Sequence, residues 1–260
     1  MKTIYEWIPS HVRNRQLIGC MDLLRAIGAA GNRLPFLHRV KTARREEHYR
    51  QNSLTLGNVS VPAFSPEGFL EYQNRCGQIL YGKTNVAFAG CEIIAFYNLL
   101  KALHRDEPLP ALIRETETNG MIHGAHWGTS PLSQLRALQK RRISVHYAWS
   151  EPEFTAVLNS CESFLLTLYN DKDDLRKMIH TVCVTVLPPA DTSPSAMPSS
   201  DTSPSDTPSS SAVRRYRIHN AAGNGPIDVQ ADTMQELMAA FPGGRAKAIL
   251  LIGAGPDLKS

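Results

Sequence analysis

Ala89-Gly90-Cys91-Glu92-Ile93-Ile94-Ala95-Phe96-Tyr97-Asn98-Leu99-Leu100 is the stretch on which the fold of this chain turns. Ile93, Ile94, Tyr97, Leu100 and Leu103 recur at helical spacing, which predicts a buried amphipathic helix with Cys91 at its start. Gly90 lets the backbone turn into that helix and leaves room beside the sulfur. A cysteine placed there meets unpaired main-chain N–H groups and the positive end of the helix dipole, both of which favour a thiolate. A nucleophile is one reading of Cys91. A small buried hydrophobe is the other, because free cysteine is among the most buried residue types.

Two later segments bear on the choice. Residues 178–187, Met-Ile-His-Thr-Val-Cys-Val-Thr-Val-Leu, read as a buried strand with His180 near its start. Residues 214–220, Arg-Arg-Tyr-Arg-Ile-His-Asn, alternate as a second strand that ends at Asn220 and the turn signal Ala-Ala-Gly-Asn-Gly-Pro. Taken alone, a histidine at a strand start is more often structural than catalytic. Cysteine on a helix, then His and Asn on later strands, is however the chain order of papain-like hydrolases. There the His takes the thiol proton, and an amide or carboxylate orients the imidazole.

The run Gly90-Cys91-Glu92-Ile93-Ile94-Ala95 with Tyr97-Asn98, the loop Gly124-Ala125-His126-Trp127-Gly128-Thr129-Ser130-Pro131, and the strands His180-Thr181-Val182 and Tyr216-Arg217-Ile218-His219-Asn220 together resemble the C39-like, papain-fold cysteine peptidases of bacteria. The resemblance spans roughly residues 80–255. It implies Cys91 as nucleophile, His180 as base and Asn220 as the residue that orients the ring. In C39-type enzymes a Gln six residues before the cysteine helps form the oxyanion hole, and Asn85 stands at that place here. Asn carries the same NH₂ donor on a shorter arm. The third residue is ordinarily Asp in an Asp-Pro pair; here it is Asn220 followed by Ala221, closer to the Asn of papain.

The bulk properties narrow the function classes. At 260 residues with 42% hydrophobic content, the chain holds one sizeable domain plus extras. A net charge of +4 argues against dedicated nucleic-acid binding. Cys20, Cys76, Cys91, Cys161 and Cys183 are odd in number and lack paired spacing, which fits a reducing compartment better than a disulfide framework. Cys161 and Cys183 read as inert core residues. The N-terminus lacks the apolar centre of a signal peptide, and the longest apolar run, 248–254, has the length of a strand rather than a membrane span. A cytoplasmic location is expected, with export by a leaderless route left open.

Residues 1–60 form a separate block, expected as an N-terminal helical and basic extension. Leu17, Ile18, Met21, Leu23, Leu24 and Ile27 suggest one amphipathic helix ending at Gly28 or Gly31. The basic stretch 33–50 reads as a solvated helical face or linker, with a partner or anionic-surface contact as the other reading. Residues 61–260 are expected as a papain-like domain. Helices are predicted at 109–118, at 131 onward with Ser130 as cap, at 151–160 and at 233–241; further strands are predicted at 143–149, 163–169 and 247–252. Helices first and strands later give an α+β class, with the N-terminal helical part packed on an antiparallel sheet. Residues 191–200, Asp-Thr-Ser-Pro-Ser-Ala-Met-Pro-Ser-Ser, recur as 201–210, Asp-Thr-Ser-Pro-Ser-Asp-Thr-Pro-Ser-Ser. Such a Ser/Pro-rich repeat cannot offset its ordering entropy, so a disordered insert is expected over 188–212.

Other constellations are weaker. His123 and His126 lie in a Gly-rich loop, but a zinc site needs two more ligands at suitable spacing, and none is seen. Either histidine is a rival for the base, although the position of His180 suits the chain order better. Trp127 and Gly128 of that loop are expected to wall a substrate groove. Gly253-Ala254-Gly255 echoes a dinucleotide fingerprint but has no helix after it. The expectation is therefore a cysteine peptidase acting on a peptide or protein substrate, without cofactor or metal, with Cys91, His180 and Asn220 as triad. A catalytically silent papain-fold binding module, and an acyltransferase or transglutaminase using the same triad, are the alternatives.

Overall fold

Three helices open the computed structural model, which describes residues 3–30, 35–58, 63–188, 214–221 and 225–255. They are α1 (Ile4–His11), α2 (Asn14–Ala30) and α3 (Pro35–Asn58). A two-stranded hairpin, β1 (Leu80–Tyr81) and β2 (Thr84–Asn85), leads through the single-turn helix α4 (Val86–Ala89) into α5 (Cys91–Ala102). Then follow α6 (Leu109–Asn119), α7 (Pro131–Lys140), β3 (Ser144–Ala148), α8 (Glu153–Ser160), β4 (Ser163–Tyr169) and β5 (Ile179–Leu187). The described chain closes with β6 (Arg215–His219), β7 (Ile227–Gln230), α9 (Met234–Ala239) and β8 (Lys247–Gly255). The tandem decapeptide at 191–210 lies outside the described residues.

The last six strands form one antiparallel sheet in the order β3-β8-β4-β5-β6-β7. All seven side chains of β4 are buried, so this central strand reads as an apolar run rather than an alternating one. Its two faces nevertheless serve different layers. Phe164, Leu166 and Leu168 pack with Phe154 and Leu158 of α8 and Met234 and Leu237 of α9. Leu165 and Tyr169 pack with Phe96, Leu99 and Leu100 of α5, Leu135 and Leu138 of α7, and Ile18 of α2. The molecule is thus an α+β assembly with helices on both faces of an antiparallel sheet.

The α5 helix is enclosed more completely than its sequence suggests. Ile93, Ile94, Leu99 and Leu100 are closed to solvent, and Phe96 and Asn98 are buried on the remaining sides. At roughly 1.5–3 kcal/mol for each large apolar side chain removed from water, these contacts hold α5 rigidly and with it Cys91. The α2 helix departs in the opposite sense. Ile18 is buried with Leu17 and Met21 against it, but Leu23, Leu24 and Ile27, expected on the inner face, are exposed. From Pro35 onward the basic stretch is helical, as part of α3, and this helix is docked by Asn52, whose side chain pairs with both main-chain groups of Leu80 at 2.8 and 2.9 Å. Ser130 does precede α7, with Pro131 at its first position. Its hydroxyl, however, donates to Asp22 of α2 at 2.8 Å instead of accepting from α7, so the expected cap is a bridge between helices. Among the described residues no helix is long and apolar enough to cross a membrane.

Candidate active site

The path into Cys91 is set by two residues. Asn85 stands at the N-cap of α4, where its Oδ1 accepts the Phe88 N–H at 3.0 Å. Gly90 then joins α4 to α5. Its φ of −98° suits any residue, so the need for glycine is steric: a Cβ there would come within 2.6 Å of the Val86 carbonyl oxygen. The space that Gly90 leaves open is filled by α4.

Cys91 is the first residue of α5 and is half-buried. The α5 helix packs against β5, and β6 pairs with that strand only from Cys183, opposite His219, to Leu187. Main-chain N–H groups of Thr181 and Glu92 reach the sulfur. The thiol itself donates to Glu92 Oε2 at 2.9 Å. That carboxyl is buried beneath the Gly128-Thr129 turn: Gly128 has a φ of +70°, and a Cβ on it would sit 3.4 Å from Oε2. Thr129 donates its main-chain N–H to the carboxylate, and the Gln134 side chain donates to the Glu92 carbonyl.

These surroundings reverse the expected electrostatics of the thiol. Burial pushes Cys91 well above the ordinary cysteine value, and the neighbouring Glu92 carboxylate pushes it further. The two N–H groups act the other way and are outweighed. Burial also lifts the Glu92 carboxyl to about 7, against the opposing pull of its hydrogen bonds. Burial and the neighbouring Glu92 therefore favour the neutral thiol over the thiolate that the helix N-terminus alone suggests.

His180, second in β5, is half-buried and lies one residue from the Thr181 N–H that reaches the sulfur. Its Nε2 is 3.0 Å from the main-chain oxygen of Asn220. A carbonyl only accepts, so Nε2 carries the proton and Nδ1 is left with its lone pair. Burial depresses the His180 pKa, and the bond to Asn220 partly offsets that. The Asn220 side chain is engaged elsewhere. Its Oδ1 accepts from the Gln73 N–H at 3.1 Å, and its Nδ2 donates to Gln73 Oε1 at 3.1 Å. Asn220 thus meets the His180 ring through its backbone and not, as expected, through its amide.

That backbone is held with care. Asn220 has a φ of +56°, in the left-handed region that Asn tolerates better than most residues. Its N–H donates to Glu71 Oε2 at 2.9 Å, while the other Glu71 oxygen pairs with His219 Nδ1 at 2.6 Å. Thr185 engages the far side of the His219 ring at 3.0 Å, and Phe69 stacks on it at 4.3 Å between centroids. Beside His180 opens a cavity of about 400 Å³, with Gln73, Ala87, Asn170, Ala221 and Phe241 in its walls.

Trp127 is exposed, 5.5 Å from the His123 ring, and Gly128 covers Glu92 as described. Among the described residues no group of three or more His, Cys, Asp or Glu is placed to hold a metal ion. Cys76, Cys161 and Cys183 are buried; burial lifts Cys76 to about 12 and raises the other two. Cys20 is exposed on α2. Sequence reasoning missed Glu92, Glu71, Gln73 and Gln134. Only Glu92 carried a signal, as a carboxylate adjacent to the cysteine in the decisive stretch. Set against family models, curated proteins and solved structures, the chain matches none of them.

Proposed function

We propose that this chain is a papain-like cysteine hydrolase that cuts a peptide or protein bond. One observation carries the reading. Cys91 opens a rigid buried helix and its sulfur receives the N–H next to His180, whose ring is tethered through Nε2 so that Nδ1 is the free base. In this reading the Cys91 sulfur attacks the substrate carbonyl carbon while His180 Nδ1 takes the thiol proton. The C–N bond then breaks and the proton passes from His180 to the leaving amine. Water attacks the thioester, His180 takes a proton from it, and that proton returns to the departing sulfur. The Cys91 N–H and Asn85 Nδ2, the donor atom its cap leaves over, serve the oxyanion. Trp127 and Gly128 flank the substrate, and the cavity beside His180 accepts one of its side chains.

A second reading is favoured by the Cys91–Glu92 hydrogen bond: a papain-fold module that binds a partner and has no activity. Incubation with unfolded protein substrates, followed by mass spectrometry of the fragments, separates the two. New termini that vanish in Cys91→Ala support the hydrolase. Intact substrate at every pH from 5 to 9, with Cys91 shown to be reduced, supports the binding module. Amide products that appear only with added amine would instead mark acyl transfer.

A further inference from the structure

Outside the triad, one buried group touches the reacting sulfur and has no part in the mechanism above. Glu92 is 3% exposed, and its Oε2 accepts the thiol proton line of Cys91 at 2.9 Å. Three features fix it there. Thr129 donates its N–H to the carboxylate, the side chain of Gln134 holds the Glu92 carbonyl, and the positive φ of Gly128 lets the turn close over it without a side chain. We propose that Glu92 is a positioning residue that holds the Cys91 proton in the resting site, so that the sulfur is handed to His180 only when Glu92 has lost its charge. The inference rests on the hydrolase reading and adds its regulation.

The chemistry follows from two like charges sharing one enclosure. An ionised Glu92 disfavours a thiolate 2.9 Å away, because two anions in a low-dielectric pocket repel. A protonated Glu92 does the reverse, since its O–H donates to the sulfur and stabilises the anion. The groups facing Glu92 leave this coupling intact. On α5 it meets Cys91; the loop of Gly128 and Thr129 offers only main chain and a hydroxyl; α7 offers the neutral amide of Gln134. From the β1 side comes Tyr81, whose hydroxyl pairs with Thr129 Oγ1 at 2.5 Å and whose ionisation the Glu92 charge opposes. From β5 comes the Thr181 N–H on the sulfur, with His180 beside it. No Lys or Arg is among the groups that shift Glu92. With the carboxyl lifted to about 7 by burial, its charge changes in the neutral range. The hydrolase form of the site is then the one with a neutral Glu92, favoured below about pH 7 and suppressed above it.

The test is iodoacetamide alkylation of Cys91 across pH 5–10, read by peptide mass spectrometry in a Cys20→Ser background, comparing Glu92→Gln with the parent chain. Removing the charge while keeping the shape lowers the midpoint of the Cys91 profile by one unit or more, which is about tenfold faster alkylation at pH 7.5. Glu92→Asp, with the carboxylate drawn back from the sulfur, gives an intermediate midpoint and stands in if the Gln variant fails to fold. Midpoints that coincide for the parent and a folded variant overturn the proposal, as does a midpoint that rises. Alkylation needs no substrate, so this result is independent of whether any peptide is cut. If peptides are cut, the alkaline limb of kcat/KM flattens in Glu92→Gln while KM stays unchanged.

Discussion

Asn220 acts on His180 through an atom that no side-chain substitution removes, and this makes its role separable. Its carbonyl receives the His180 Nε2 proton, while its amide is clamped to Gln73 and its φ is +56°. If the amide oriented the ring, Asn220→Ala and Asn220→Gly would be equally damaging. With the carbonyl in that role, the variants differ: alanine resists the left-handed backbone, whereas glycine adopts it freely. Asn220→Gly is therefore expected to retain several-fold more kcat/KM than Asn220→Ala. Both lose stability, by about 1–3 kcal/mol, because Gln73 keeps buried polar atoms without partners. Equal kcat/KM values in two folded variants would return the orienting role to the side chain. The pattern Cys, His, Asn was legible in the sequence because residue types and chain order are linear facts. Which atom of Asn220 meets the ring depends on the Glu71 and Gln73 contacts, which lie almost 150 positions away, and no local pattern encodes them.

Elements with strong internal periodicity were read well, and those defined by a partner were not. Strand β4 occupies the predicted residues 163–169, and α5 begins at Cys91 as its spacing implied. The α1 helix was missed because it is short and contains Pro9, and it docks through the 3-10 turn at Leu175–Lys177. Strand β7 was missed too. It is an edge strand of four residues that pairs with β6 and sets only Ile227 and Val229 against the core, too short an alternation to stand out in the sequence. Gly253-Ala254-Gly255 belongs to β8, and the structure explains its first glycine. A Cβ on Gly253 would run into Cys161 Sγ and come within 2.8 Å of Val157 Cγ1, where α8 lies against the sheet. Gly253→Ala is accordingly expected to lower Tm by several degrees, through an overpacking cost of about 1–3 kcal/mol. Paired with Cys161→Ala it should recover part of the loss. An unchanged Tm in the single variant would mean that α8 is not seated on β8 as described.

Over the whole molecule, the N-terminal helices are tied to the body that carries the site. Asn14 donates to the Trp149 carbonyl at 3.0 Å, His48 pairs with Glu117 at 2.7 Å, and Asp22 joins Arg136 and Ser130 of the α7 region. Burial alone would raise the Asp22 carboxyl, but hydrogen bonds from Arg136, Arg25 and Ser130 outweigh it and hold the group far below the usual range. A carboxyl depressed on folding stabilises the native state above its unfolded value and loses that contribution as pH falls through the folded one. The Tm gap between the native chain and Asp22→Asn should thus be full at pH 6–7 and close progressively below about pH 4. A gap that stays constant with pH would show that Asp22 acts by shape alone. This tie was hidden in the sequence, where the first sixty residues read as a separate block, because ion pairs between distant segments leave no periodic trace.

Whether Cys91 is a nucleophile served by His180 is decided most directly by covalent labelling of the full chain at pH 6.5 with a peptidyl acyloxymethyl ketone, which reacts well only with a cysteine whose base partner is in place. A single adduct is expected, mapped to Cys91 by mass spectrometry, formed at least tenfold more slowly in His180→Ala and at the native rate in His123→Ala and His126→Ala. Labelling of Cys20 with Cys91 left bare, or equal labelling of Cys91 with and without His180, would contradict that assignment.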